Sequence, residues 1–478
     1  NSLQFPLQAM KLKDAKANEP IPVFNLQADS KRAQIEKAVL NYRLNLGGVN
    51  AKSALIEACS LLSVADNKII INPELINNEL HQKITEPDKV FALVHFGRSG
   101  TGLLHSLIDG HPQVSTLPSI YFSEFFSYST WEQIISGGWA EIVDRFMTTF
   151  EVLFDASARN PIETKSKQFI DYLGQKEGMA NVGNNRDEIL RVDKTLFREE
   201  LRRLINLYDQ LEVLTFFKLV HMAYNKSLND LNHKSLLFYH IHNPDSHAKL
   251  NFVQAAPNAN WVMMVREPIQ ACESWISDHI DKNERLIIST KIVSMLFGID
   301  EIVYHKKNAI GVRLEDLKLH PRKTIPALCG WLGIEDTESL YEMTAQGKKW
   351  WGDSVNPNSA TDESEPFEMS SIRRKVGKVF TESDQFILRT LFYPFSVRFG
   401  YVQENSDQFK EDLKVIRPMM DMMFGFEKVL AEHTKTSEEQ FMKSGSYLYL
   451  RSGLIERWKV LTEFHTYPNM ITPLKINQ

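Results

Sequence analysis

The sequence predicts an α/β protein built on a three-layer parallel sheet. Three observations predict it. An apolar run, Lys89-Val-Phe-Ala-Leu-Val-His95, feeds a glycine-rich turn that opens a helix-like segment, Leu103-Leu-His-Ser-Leu-Ile-Asp109. Three later runs, 235–242, 260–265 and 308–314, are short and almost continuously apolar, as strands buried on both faces must be. Helical segments separate these runs, so right-handed crossovers within one sheet are the natural connection.

Taken in order, residues 1–88 read as a mostly helical N-terminal extension, with Ile35, Val39, Leu40 and Tyr42 set among charges. Thr85-Glu-Pro-Asp88 reads as a linker. A second short strand is expected at Gln113-Val-Ser-Thr-Leu117. Residues 124–230 read as a helical insertion, in which Leu201, Leu204, Ile205 and Tyr208 recur at amphipathic spacing. Gly183-Asn-Asn185 breaks the pattern before that helix. The stretch 350–370 is rich in Asn, Pro and Ser and reads as loop. The expected units are an extension over 1–88, a catalytic domain over 89–405 and a C-terminal helical segment over 406–478.

Composition bounds the function. The chain has 478 residues, 43% hydrophobic and 24% charged, enough to bury a sizeable core. A net charge of −5 argues against nucleic acid as a partner, so any anion site must be local. Cys59, Cys272 and Cys329 show neither metal-ligand spacing nor a disulfide framework, which fits a reducing, cytoplasmic compartment. No apolar run is long enough to span a membrane. The first residues carry no signal-peptide pattern, and the chain starts without Met, consistent with an upstream segment cut or omitted.

The turn after the first strand, Phe96-Gly-Arg-Ser-Gly-Thr-Gly-Leu103, is the strongest chemical signal. A strand–turn–helix of this kind aims backbone N–H groups and a helix N-terminus at one point, a ready anion site. Gly97, Gly100 and Gly102 let the backbone wrap closely, and Ser99 and Thr101 add hydroxyls. The Lys of Gly-x-x-x-x-Gly-Lys-Ser/Thr is missing, and Arg98 precedes Ser-Gly-Thr instead. Neither strand 236–242 nor strand 260–265 ends in the Asp a magnesium-dependent ATPase would use. A second signal follows the 260–265 run, in Val265-Arg-Glu-Pro-Ile-Gln-Ala-Cys-Glu-Ser-Trp275. Arg266 leaves the strand at its carboxyl end, and Ser274 lies eight residues on, about two turns into a helix opened by Pro268. A guanidinium fork and a hydroxyl converging on one phosphate is a sensible pairing.

These two motifs, with His111-Pro112 between them, resemble the PAPS-dependent sulfotransferases, where PAPS is 3′-phosphoadenosine-5′-phosphosulfate. Val312-Arg-Leu-Glu-Asp-Leu-Lys-Leu-His-Pro321 with Leu328-Cys-Gly-Trp-Leu-Gly333 looks like the strand, turn and helix of the same family. Ile372-Arg-Arg-Lys-Val-Gly-Lys378 is similar to its basic glycine-containing loop. The resemblance covers about residues 89–402. It implies a P-loop-NTPase-like sulfotransferase fold with extensive helical additions, PAPS as co-substrate and no metal. It further implies that Arg98, Ser99, Gly100, Thr101, Gly102 and Leu103 cradle the 5′-phosphosulfate, while Arg266, Ser274, Arg374 and Lys375 hold the 3′-phosphate. The sequence departs from the family at Gly102, which replaces a second Thr, and at Leu314, where some members carry Tyr.

Sulfuryl transfer, like phosphoryl transfer, is an in-line displacement governed by positioning and charge stabilisation. Arg98 and the loop N–H groups are expected to stabilise charge on the leaving 5′-phosphate. The acceptor needs a general base, and His242, Glu124 and His240 compete for that role. The acceptor is a small molecule or carbohydrate of unidentified class, and the oligomeric state is left open. Two other functions use the same loop: a nucleotide phosphotransferase, and a non-catalytic binder of adenosine bisphosphate. Blander roles stand beside these. Arg266 could pair with Glu267 or Glu273, one of the two strand histidines could be packing, Trp350 and Trp351 could be lid or core residues, and the Met419–Phe426 run could be a core stripe.

Overall fold

The computed structural model describes residues 69–73, 84–118, 122, 125–157, 181–241, 246–301, 308–352, 366–368, 372 and 376–476. At its centre lie six strands: β1 (Lys89–His95), β2 (Val114–Ser115), β3 (Leu236–His240), β4 (Asn260–Val265), β5 (Ala309–Arg313) and β6 (Thr472–Pro473). They are ordered β6-β5-β4-β1-β3-β2, and every pairing is parallel. From β1 the chain goes to one side for β2 and β3, then crosses to the other for β4 and β5. The carboxyl end of β1 is therefore a topological switch point, where loops diverge and leave a crevice.

The expected α/β three-layer parallel sheet is what forms. Alternate residues of β1 enter two separate cores. Phe91 and Leu93 pack with Leu104, Leu107 and Ile108 of α1 (Thr101–Ile108), while Val90, Ala92 and Val94 enter the larger core on the other face. Burial on both faces explains the unbroken apolar run. Register places the functional strand ends at one level: Leu93 opposite His240, His95 opposite Met264, and Val265 opposite Arg313.

Strand 260–265 forms as expected. The 235–242 run forms β3 only to His240, although the Ile241 N–H still donates to the Leu93 carbonyl at 2.9 Å. The 308–314 run ends at Arg313 because Leu314 already starts a helix.

The insertion is not uniformly helical. Its described residues form α2 (Tyr128–Ile135), α3 (Ile142–Thr149), α4 (Lys194–Ile205) and α5 (Val213–Ser227). Between α4 and α5, Gln210–Leu211 pairs antiparallel with Ile70–Ile71, tying a piece of the N-terminal extension to it. Asp193 caps α4 by accepting the N–H groups of Thr195 and Leu196. Aromatic rings fill this unit, with Phe122 stacked on Phe217 at 5.5 Å. The linker residue Glu86 is held by the Tyr208 hydroxyl and Lys218. Residues 1–68 and 74–83 of the extension lie outside the described residues.

Beyond β3 come α6 (Ser246–Ala255), α7 (Pro268–Ile280), α8 (Arg285–Gly298), α9 (Leu314–Leu319), α10 (Pro321–Leu332) and α11 (Glu382–Arg398). The C-terminal block adds α12 (Ser406–Met419), α13 (Gly425–His433), α14 (Glu438–Met442) and α15 (Gly445–Phe464) before returning to the sheet as β6. In the methionine run, Met420, Met423, Phe424 and Phe426 are buried core residues, while Met422 is exposed.

Gly311 in the middle of β5 shows how tightly the end of α11 closes on the sheet. A Cβ there would lie 2.5 Å from Cζ of Phe399, at the end of α11. Gly311→Ala is expected to lower stability by about 1–3 kcal/mol through this overlap, measured by urea unfolding. An unchanged midpoint would show that Phe399 does not pack against the strand.

Candidate active site

The glycine loop is built so that its donors face outward. Gly97 and Gly100 adopt φ of 61° and 85°, left-handed values that side chains resist. Gly100 is also the residue before α1, and a Cβ on it would sit 2.7 Å from Cδ1 of Leu314. The loop is held from behind. The Phe96 N–H donates to the Ser99 hydroxyl at 3.2 Å and the Arg98 N–H to the Ala271 carbonyl at 3.4 Å. Ser99 is thus buried and its oxygen serves the loop itself. Among the described residues, the N–H groups of Gly100, Thr101, Gly102 and Leu103 have no acceptor, since the first intrahelical bond is Leu104 N–H to the Gly100 carbonyl. Four donors at a helix N-terminus suit an oxyanion.

Arg98 is half exposed and, among the described residues, its side chain pairs with Asp278 of α7 at 3.6 Å, a contact of little strength. Gly102 opens beneath Trp350, whose ring lies 3.9 Å from where a Cβ would be. Trp350 is largely buried, and the Trp351 indole donates to the Gly183 carbonyl at 2.7 Å, so both act as packing residues of the wall beside the loop.

Arg266 is only 4% exposed and reaches back toward this loop. One terminal nitrogen donates to the Arg98 carbonyl at 3.5 Å and the other to Gln270 Oε1 at 3.2 Å. Arg266, Gln270 and Ser274 follow at intervals of four along one helical stripe of α7 and the residues before it. Lys318 of α9 adds positive charge. Burial chiefly lowers its pKa, the Glu368 carboxylate pulls it back up, and Arg266 lowers it further.

Three acids near Arg266 in sequence or space hold main-chain N–H groups. Glu267 caps α7 by accepting the Gln270 N–H at 2.7 Å. Glu273 is buried and accepts the N–H groups of Gly377, Lys378 and Phe380, gripping the base of the loop that carries the basic motif. Glu315, of the Leu-Glu-Asp-Leu motif, accepts the Glu267 N–H at 3.0 Å and the Tyr401 hydroxyl at 2.9 Å. It therefore fixes the turn just after Arg266. Arg374 and Lys375 lie outside the described residues.

Of the three base candidates, His242 and Glu124 also lie outside the described residues. His240 ends β3, is 4% exposed and packs against His105 of α1 at 5.4 Å. Behind them His221 of α5 is buried, with Nδ1 2.9 Å from the Ser115 hydroxyl. Burial pushes His221 down to about 3 and His105 down to about 4. His111 organises the His-Pro turn, taking the Gln113 N–H on Nδ1 while Nε2 meets the Glu335 carbonyl.

The sequence did not single out Glu273 or Glu315 as organisers of backbone. Their signal was present: each is an acid inside a motif otherwise devoted to binding anions. Nor did it single out Lys291, a lone cation in the apolar helix α8 and the only charged residue between Arg285 and Asp300.

Neutral burial of His221 carries a pH signature. Unfolded histidine titrates near ~6.5, so protons favour the unfolded chain once pH falls below that value. The stability His221 contributes is complete above ~6.5 and is lost toward its folded value, at about 1.4 kcal/mol per pH unit. His221→Asn should be less stable at pH 7 yet show a shallower loss between pH 6.5 and 5 by urea unfolding. Parallel slopes would mean that His221 is already charged in the folded protein.

No protein-family model matches the chain, and no curated protein matches it. Among solved structures, the chain is similar to the "Sulfotransferase Domain from the Synechococcus PCC 7002 Olefin Synthase", at 17% identity and a TM-score of 0.32, covering 66% of this chain and 98% of that one. It is also similar to the "Sulfotransferase Domain from the Curacin Biosynthetic Pathway", at 14% identity and a TM-score of 0.32, covering 64% of this chain and 98% of that one. At this level of likeness the functional reading rests on the residues of the chain itself.

Proposed function

We propose that the protein transfers a sulfuryl group from PAPS to a hydroxyl or amine of a small-molecule or carbohydrate acceptor. One observation carries the reading. The buried guanidinium of Arg266 touches the same glycine loop whose helix-N-terminal donors are unused, so two anion-holding points adjoin across the switch-point crevice. A nucleotide with anionic groups at both its 3′ and 5′ positions matches that pair. A ligand with a single phosphate chain has no second anionic group to set beside Arg266 and Ser274.

The co-substrate supplies an activated sulfuryl group on a phosphate leaving group. The residues supply the rest. The N–H groups of Gly100 to Leu103 hold the 5′ oxyanions without reorganising, and Arg98 swings from Asp278 onto the charge that develops as the sulfur–oxygen bond breaks. Arg266, Gln270 and Ser274 hold the 3′-phosphate, with Lys318 adding to the field. Arg374 and Lys375 would close over it from the loop that Glu273 anchors. Sulfur bonds to the acceptor oxygen or nitrogen as its proton passes to a base. We assign that base to His242, since His240 is packed against His105, with Glu124 next in line.

Labelled PAPS presented to an acceptor panel tests the assignment. Arg98→Ala should cut transfer by ~10²–10³ with the fold retained. Unchanged labelling would remove Arg98 from the chemistry. Arg266→Ala and Glu315→Gln should weaken adenosine 3′,5′-bisphosphate binding, the first by roughly 30-fold or more for a lost charge-assisted contact. His242→Ala should lower turnover while that affinity holds, and equal turnover would move the role to Glu124. Magnesium-dependent ATP turnover would favour a phosphotransferase instead.

A further inference from the structure

Lys291 stands one turn before Met295 on α8, and Met295 is the residue that packs beneath Gly97. The helix face that supports the loop thus also brings an ammonium to its side. Its surroundings are specific. Lys291 Nζ donates to the Trp275 carbonyl at 3.2 Å, lies 4.8 Å above the Trp275 ring, and is 2.7 Å from His279 Nε2. On its other side His279 Nδ1 meets the Glu284 carboxylate at 2.5 Å. A carboxylate can only accept, so Nδ1 carries the proton and Nε2 is left to receive the lysine N–H. Burial lowers the His279 pKa, keeping the ring neutral for that role. Two of the three ammonium hydrogens are thereby assigned, and one remains.

We propose that Lys291 is a second anion-holding cation of the glycine loop, clamped by the Glu284–His279 pair so that its remaining N–H serves the 5′ end of the bound adenosine bisphosphate. This rests on the reading above and adds a residue to it. The groups facing Lys291 are Arg98 from the loop, Asp278 and His279 from α7, and Lys282 and Glu284 from the connecting turn. Burial, then Arg98 and Lys282, push its pKa down to about 8, against the pull of Asp278 and Glu284. Two cations held close enough to repel are relieved by an anion between them. Anion binding therefore restores the ordinary lysine pKa, and the linkage has a definite sign. Above pH 8 the free lysine loses its proton, binding takes one up, and affinity falls as pH rises.

The test is calorimetric titration of the full chain with adenosine 3′,5′-bisphosphate at pH 8.5, in two buffers of different ionisation enthalpy. The wild-type protein should take up about half a proton or more. Lys291→Met should abolish the uptake and weaken binding at pH 7 by about 10-fold, while Lys291→Arg should bind at both pH values without uptake. Arg266→Ala should weaken binding and keep the uptake. A parallel titration with inorganic sulfate, which does not itself titrate here, separates the two readings. Uptake with sulfate but no binding of the bisphosphate would sink the nucleotide assignment and keep Lys291 as an anion ligand. Binding of the bisphosphate with the same uptake in Lys291→Met would overturn the lysine proposal alone. Binding of neither would overturn both.

Discussion

The site as proposed depends on a helix N-terminus whose first N–H groups meet no acceptor among the described residues. Four N–H groups at the start of α1 must stay unbonded, and the chain must still make the turn that aims them. The loop manages this by taking its own support from behind. Ser99 turns its oxygen inward to the Phe96 N–H, Arg98 donates its backbone N–H to α7, and Met295 fills the space that only glycine at position 97 leaves. Each support uses an atom pointing away from the crevice. The donors that remain are those a ligand can use, and their direction is fixed before it arrives.

A chain of net charge −5 makes a positive site by spending its acids on backbone. Glu267, Glu273 and Glu315 all lie close to Arg266 in sequence or space, and each accepts main-chain N–H groups. Carboxylates occupied in this way position the loops that carry the guanidinium. Glu273 joins α7 to the 376–380 segment, and Glu315 joins α9 to the turn after β4. The two proposed anion-holding points are consequently braced by the same side chains that a charge count would treat as their opponents. Deleting such an acid would loosen a loop before it strengthened the field.

Strands β1, β3, β4 and β5 were legible because each is buried on both faces and reads as an almost unbroken apolar run, whereas β6, only Thr472–Pro473, carries no such run and escaped. The glycine loop and the Arg266–Ser274 pair were legible for a related reason. Each is a local geometry of strand, turn and helix encoded within about ten residues. What escaped was long-range. Nothing local tells that Glu273 reaches Gly377, that Glu315 meets Tyr401, or that Lys291 shares its space with Arg98, because each contact is made by crossovers that bring distant segments together. The ends of β3 and β5 shifted by a residue or two since hydrophobic pattern does not mark where pairing stops, and the 124–230 stretch hid a short strand whose partner lies near residue 70.

The C-terminal block has a physical part in the site through its packing on α8. Gly453 of α15 admits Val293 of α8 so closely that a Cβ would fall 2.8 Å from Cγ2. Buried ion pairs tie the same helix to the body of the protein, Arg457 to Asp300 just after α8 and Arg451 to Glu427 of α13. Pairs of this kind contribute little net stability but penalise any geometry that separates them. They therefore fix the axial position of α8. That position sets where Met295 supports Gly97 and where Lys291 stands relative to Arg98, both on the face opposite the block. A helix clamped on one side by a bundle and presenting two loop-supporting residues on the other transmits rigidity into a glycine turn that has little of its own.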